Sequence, residues 1–334
     1  MHDESKRKGQ LLAISDGSLT EADARAMLER IRWPNGVHCT FADCGGAEAY
    51  RIEVKAKTLK SGRHVGARHL YKCKACRRQF SVTKGTIFED SKIPLRTWIL
   101  VMYRMGSSKK GYAAFQVHRE FGMSYESAWF MCHRIRFAMQ DKNPTLLSGI
   151  IEADETYVGG KLRGHHEWRK AKGITQGEAQ KAGRDKKTMV FGMLERGGRV
   201  RAKPIRGEFT QSHATNELMG NIDVENSALI TDEHRFYKRI RRVLPHGVIN
   251  HSSEYVRGDI HTNGIEGFWS ILKRGIVGVY HHVDEGYLGP YTDEFAFRHN
   301  TRHISDGERF ETLMANVAGR LDWYLGKNAK EPAS

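Results

Sequence analysis

Ile150-Ile151-Glu152-Ala153-Asp154-Glu155-Thr156-Tyr157-Val158 sets three acids inside an apolar run flanked by polar and glycine-rich sequence. A run of this length and composition reads as a buried strand. Side chains alternate along a strand, so Glu152 and Asp154 share one face and Glu155 lies on the other. An uncompensated carboxylate is costly to bury, and acids placed this way mark a candidate site rather than surface charge. Ala228-Leu229-Ile230-Thr231-Asp232 repeats the arrangement and closes on Asp232.

Working outward from these two runs, strand patterns fall near 150–158, 188–195, 199–205 and 228–232, and helical patterns near 211–221, 233–243 and 262–274. Gly197-Gly198 reads as a hairpin turn between the second and third strands. The whole is a mixed α/β domain. A strand, an antiparallel hairpin, a helix and a fourth strand follow in the order of a ribonuclease H-like sheet, in which the first and fourth strands are neighbours. That order brings Asp154 and Asp232 together across 77 intervening residues.

Ile265, Phe268 and Leu272 recur at helical spacing in 262–274. On such a helix Glu266, Ser270 and Lys273 share a stripe, with Asn263 one turn earlier. Asp154, Asp232 and Glu266 are the candidate catalytic carboxylates. They suit Mg²⁺ or Mn²⁺, which take oxygen ligands and keep several waters. Two such ions roughly 3.5–4 Å apart would neutralise the attacking and leaving oxygens of a phosphoryl transfer.

The 334 residues carry 54 Lys and Arg against 39 Asp and Glu, a net charge of +15 and a pI of about 9.6. This excess points to a polyanionic partner, foremost nucleic acid. No apolar stretch approaches the ~20 residues of a membrane span, and no secretory core opens the chain, so a cytoplasmic protein is expected. Cys39 and Cys44 form a C-x4-C knuckle and Cys73 and Cys76 a C-x2-C knuckle, 28 residues apart. In a reducing compartment this pattern favours a structural zinc ion over disulfides. Cys132, within a helical pattern, reads as a buried apolar residue.

Thr20-Glu21-Ala22-Asp23 resembles a capping box that opens a helix to about Arg32, after a polar tail over residues 1–18. Helical patterns return over 95–105, 112–121 and 124–140, with Gly122-Met123 as the break. The last of these sets Arg134 and Arg136 beside an apolar face, as a DNA-reading helix would, although a solvated basic face is an equal reading. The segment 159–187 holds nine Lys and Arg against three acids with almost no apolar periodicity, and long irregular insertions are usually functional or disordered. A helix over 233–243 would turn Phe236, Ile240 and Val243 inward and Arg235, Lys238, Arg239 and Arg242 outward toward phosphates.

Four blocks carry a resemblance to a known family: 73–88 (CKACRRQFSVTKGTIF), 152–160 (EADETYVGG), Thr231-Asp232 and 261–269 (HTNGIEGFW). The chain resembles the bacterial insertion-sequence transposases that join an N-terminal zinc ribbon to a DDE catalytic domain and are related to eukaryotic Merlin elements. The resemblance implies that Asp154, Asp232 and Glu266 bind catalytic ions and that Lys273, with Arg274 beside it, contacts DNA. It aligns on Asp154, with Glu152 as runner-up. One departure is the first knuckle, where relatives more often place two residues between the cysteines. The expected fold is a ribonuclease H-like mixed sheet of the retroviral-integrase type over 146–304, preceded by a tail and helix (1–36), a zinc ribbon (37–90) and a helix-turn-helix-like segment (91–145), and followed by a helix and tail (305–334). The expected activity is metal-dependent strand cleavage and strand transfer at terminal inverted repeats, by a homo-oligomer on DNA. A ribonuclease H-like nuclease and a non-catalytic DNA-binding regulator remain alternatives.

Overall fold

The computed structural model of the chain describes residues 14, 16–46, 48–58, 60–62, 64–65, 68–159, 173, 187–232, 235–237, 239–249 and 260–321. Most of the polar tail and of the basic segment 159–187, together with His234 and Lys238, lies outside them. The chain divides into two compact units, one of residues 1–107, 114–138 and 305–334, the other of 108–113 and 139–304.

In the first unit, α1 (Glu21–Arg32) starts at the expected capping box, Thr20 accepting from the Asp23 amide while Asp23 accepts from Thr20. Satisfying two orphan donors reciprocally is what fixes the start. Strand β1 (Ala49–Val54) pairs with β4 (Arg68–Cys73), and β4 with β5 (Gln79–Phe80), all antiparallel; a two-residue pair, β2 (Lys57–Thr58) and β3 (His64–Val65), lies between β1 and β4 in the chain. This sheet has a small aromatic core. Tyr71 stacks on Phe80 at 5.8 Å, and Trp33 meets Tyr71 edge-on at 5.0 Å.

Three helices follow, α2 (Leu95–Ser107), α3 (Ala114–Phe121) and α4 (Tyr125–Ala138). Both carboxylate oxygens of Glu21 accept from the first amides of α2, Leu95 N at 2.9 Å and Arg96 N at 3.0 Å, so α1 caps α2 with a charge of the sign its N-terminus favours. The turn between α3 and α4 passes through Gly122 at φ +63°, a conformation open to glycine at little cost.

The second unit is built on a five-stranded mixed sheet in the order β10-β9-β6-β7-β8. Its strands are β6 (Leu147–Val158), β7 (Thr188–Glu195), β8 (Val200–Ile205), β9 (Ile222–Asp232) and β10 (His246–Ile249). β6–β7 and β7–β8 are antiparallel, β6–β9 and β9–β10 parallel. The expected adjacency of the first and fourth strands is therefore present. Helix α5 (Gln211–Asn221) feeds directly into β9. Ile151, Ala153, Phe191, Met193 and Leu229 form the core on one sheet face; Val158, Val190 and Leu194 form the other with α6 (Asn263–Gly275) and α7 (Leu288–Asn300). A last helix, α8 (Asp306–Ala315), belongs to the first unit.

Three expectations are corrected. Residues 235–237 and 240–242 form two separate 3-10 turns instead of one α-helix, so the 3.6-residue period fails and Val243 faces outward at 42% exposure. The fourth strand starts at Ile222, six residues before the apolar run, because Asp223, Glu225 and Asn226 hide its pattern. β10 was not expected, having only Val248 and Ile249 as apolar signal.

Candidate functional site

The two thiol knuckles come from the turn before β1 and the turn after β4. Cys39 Sγ lies 3.8 Å from Cys76 Sγ, and Cys44 Sγ 3.7 Å from Cys73 Sγ. All four ligand atoms stand within 4.8 Å of one another. A tetrahedral ion with bonds of about 2.3 Å has edges of about 3.8 Å, so the set fits zinc. Arg78 ties the knuckles together: it donates to Cys76 Sγ at 3.5 Å, pairs with Asp43 at 2.6 Å, and lies 4.0 Å over the Phe41 ring. Its hydrogen bonds also hold the Cys76 thiol well below the usual thiol range.

The carboxylate site forms where β9 ends beside the longer, parallel β6. Glu152 pairs with Ile230 in the β6–β9 register, and two residues further along each strand stand Asp154 and Asp232. Burial, then the charges of Glu155 and Asp232, push the Asp154 carboxyl up to about 7. Glu155 is also pushed up to about 7, by burial and by Asp232. As alternation requires, Glu155 turns to the opposite face, where the buried Tyr237 hydroxyl donates to it at 2.7 Å. A cation beside Asp154 would relieve the crowding that holds its carboxyl up, and with Asp232 as the neighbouring carboxylate the pair could hold a divalent metal.

Helix α6 crosses the same face of β6. Its Trp269 Nε1–H donates to Asp154 Oδ2 at 3.0 Å, and its Ile265 N–H donates to Glu152 Oε2 at 3.0 Å. Glu266 is exposed one turn before Trp269, with Thr262 Oγ1 donating to it at 2.8 Å. Ser270, Lys273 and Arg274 are exposed along the following turns. Among the described residues only the cysteines gather three or more ligand atoms within 4.8 Å. Asp154, Asp232 and Glu266 thus do not all come within that distance of one another.

Glu152 is engaged elsewhere. It is fully buried, its Oε1 accepts from Arg196 Nε at 3.0 Å, and Arg196 also donates to the His261 carbonyl at 3.0 Å. Sequence reasoning singled out neither Arg196 nor Trp269, although Trp269 follows Glu266 at i+3.

Arg134 and Arg136 require correction. They are 5% and 1% exposed, and Arg134 donates to the Glu89 carbonyl at 2.8 Å while its guanidinium lies 5.0 Å over Phe130. The C-terminal half of α4 is buried on all sides, so this stretch presents no basic face; its exposed part is the first turn, Tyr125, Glu126 and Ser127. Cys132 is buried as expected.

Residues 146–300 match the ISXO2-like transposase domain, and residues 19–79 the transposase zinc-ribbon domain. An uncharacterized protein in transposable element ISH50 of Halobacterium salinarum is 28% identical over 310 residues, covering 89% of this chain and 96% of that protein. Among the described residues no helix is long and apolar enough to cross a membrane.

Proposed function

We propose that the chain, with its matches to an ISXO2-like transposase domain and a transposase zinc ribbon, is an insertion-sequence transposase that binds the terminal inverted repeats of a mobile element, cleaves a strand there and joins the 3′ end to target DNA. The observation that carries this reading is the neighbourhood of Asp154 on β6 and Asp232 at the end of the parallel β9, beneath a helix that bears Glu266. The five-strand order matches a ribonuclease H-like fold.

Asp154, Asp232 and Glu266 would hold Mg²⁺ or Mn²⁺, which supplies charge neutralisation at the attacking and leaving oxygens. Lys273 and Arg274, exposed on the turns of α6 beyond Glu266, would bind phosphates flanking the scissile bond. Each neutralised phosphate adds affinity without sequence information. Arg196 and the buried Glu152 fix the start of α6, and so the position of Glu266. The cysteine set holds a structural zinc ion, and the ribbon with the exposed start of α4 contributes end recognition. Pairing of two ends calls for a homo-oligomer on DNA.

Labelled transposon ends incubated with Mg²⁺ test this. The wild type yields cleaved and joined products, and Asp232→Asn loses both by about 10²-fold or more while retaining DNA binding. Cleavage with no joined product identifies a hydrolytic nuclease. Asp232→Asn with undiminished activity removes the carboxylate site from the reaction.

A further inference from the structure

Two fixed points seat α6 on β6. Glu152 and Asp154, two residues apart on a strand, are about 6.6 Å apart along it; Ile265 and Trp269, four residues apart on a helix, are about 6 Å apart. The two spacings match, so Ile265 N–H meets Glu152 Oε2 and Trp269 Nε1–H meets Asp154 Oδ2, each at 3.0 Å. The neighbouring strand makes room for the indole. Gly192 is the β7 partner of Asp154, and a methyl group there would lie 2.5 Å from Trp269 Cη2 and 2.7 Å from Cζ2. Gly264 serves the other point, where a Cβ would stand 2.8 Å from Glu152 Oε2.

Trp269 is 4% exposed and packs with Val190, Leu194 and Phe268. An indole is a donor with no acceptor. Buried, it loses free energy if its N–H is unpaired, and Asp154 supplies the partner. The bond engages Oδ2, one of the two carboxylate oxygens of Asp154.

We propose that Trp269 is the positioning residue of the carboxylate site, holding Asp154 in its ligating rotamer and keying α6 so that Glu266, one turn earlier, faces the same ion site, with Gly192 as the vacancy that admits the ring. This rests on the reading of Asp154 as a metal ligand. Removing the indole N–H frees Asp154 to rotate, and metal affinity falls while the fold persists. Outer partners of ligating groups are typically worth 10–100-fold in affinity.

The test is Mn²⁺ binding to the full-length protein by electron paramagnetic resonance, with thermal unfolding measured in parallel. Trp269→Phe keeps the ring's apolar bulk and removes the donor; Gly192→Ala keeps the donor and displaces the ring. A 10–100-fold weaker Mn²⁺ affinity in either folded variant, with Asp154→Asn losing binding altogether, supports the proposal. Wild-type affinity in every one of these two variants that folds, alongside an Asp154→Asn protein that does not bind, overturns it and leaves Trp269 a packing residue. Should Asp154→Asn bind Mn²⁺ like the wild type, the metal-ligand reading itself fails.

Discussion

The four thiols are drawn within 4.8 Å of one another by two short turns and an arginine that bridges them, whereas Asp154, Asp232 and Glu266 come from three elements and do not all lie within that distance of one another. On the proposed function, the difference follows from what each ion would be for. A closed soft-ligand cage leaves no position for a substrate, and its binding energy is folding energy. An open carboxylate set would leave coordination positions to water and to a reacting phosphate, and would be stiffened from outside by groups such as Trp269.

Stripping zinc is the harshest way to break this contrast. Removal with a strong chelator, or Cys73→Ser, should unfold the small sheet around Tyr71 and Phe80, since structural zinc contributes on the order of 10 kcal/mol. Circular dichroism and limited proteolysis should show residues 37–80 opened and 146–300 still protected. Equal loss of both regions would mean that they do not fold separately.

Next comes the support of the carboxylates. Glu152→Ala leaves Arg196 and the start of α6 without their shared partner, and truncating a buried ion pair costs about 3–5 kcal/mol. Urea unfolding should show that loss, and Glu152→Gln less of it, because the amide oxygen still accepts from Ile265 N–H. A wild-type midpoint for Glu152→Ala would show that the pair does not hold the helix.

A control carboxylate sharpens the comparison further. Asp293 accepts from Gln140 at 2.9 Å, and burial pushes its carboxyl up to about 6. Unfolded, an aspartate titrates near ~3.9, so between about pH 4 and 6 the folded chain holds the extra proton and stability falls as pH rises. The cost is absent below that window and complete above it. Asp293→Asn should therefore raise the melting temperature at pH 8, by an equivalent of about 1–2 kcal/mol once partial exposure is discounted, and leave it unchanged at pH 4. Added Mn²⁺ should not alter the gain; if it does, Asp293 belongs to the metal site. The smallest effect is expected from Lys273→Gln, which should reduce the salt slope of DNA binding by about 1 and weaken all sequences alike. A change confined to one sequence would instead make Lys273 a base-reading residue.

The cysteine pattern was legible because its chemistry is local: two knuckles and a gap define the cluster without knowledge of the fold. The order of the β6–β9 elements was legible from alternating apolar runs, and with it the neighbourhood of Asp154 and Asp232. What failed was face assignment where tertiary packing overrides polarity. Arg134 and Arg136 read as surface charges, yet both are buried, and the Arg134 guanidinium lies over the Trp98 and Phe130 rings and bonds a carbonyl in the interior. The turns at 235–242 failed because 3-10 geometry breaks the period on which the reading depends. Glu152 and Asp154 were correctly placed on one face, but alternation alone cannot say that Arg196 occupies the first and an indole the second.

The contacts that seat α6 span 113 and 115 residues of chain. During synthesis, β6 leaves the ribosome long before the helix that completes its acidic end. A nascent or truncated chain ending before Asn263 holds Asp154 and Asp232 but lacks Glu266 and the indole clamp. Completion of the carboxylate set is thereby deferred until nearly the whole polypeptide has been made.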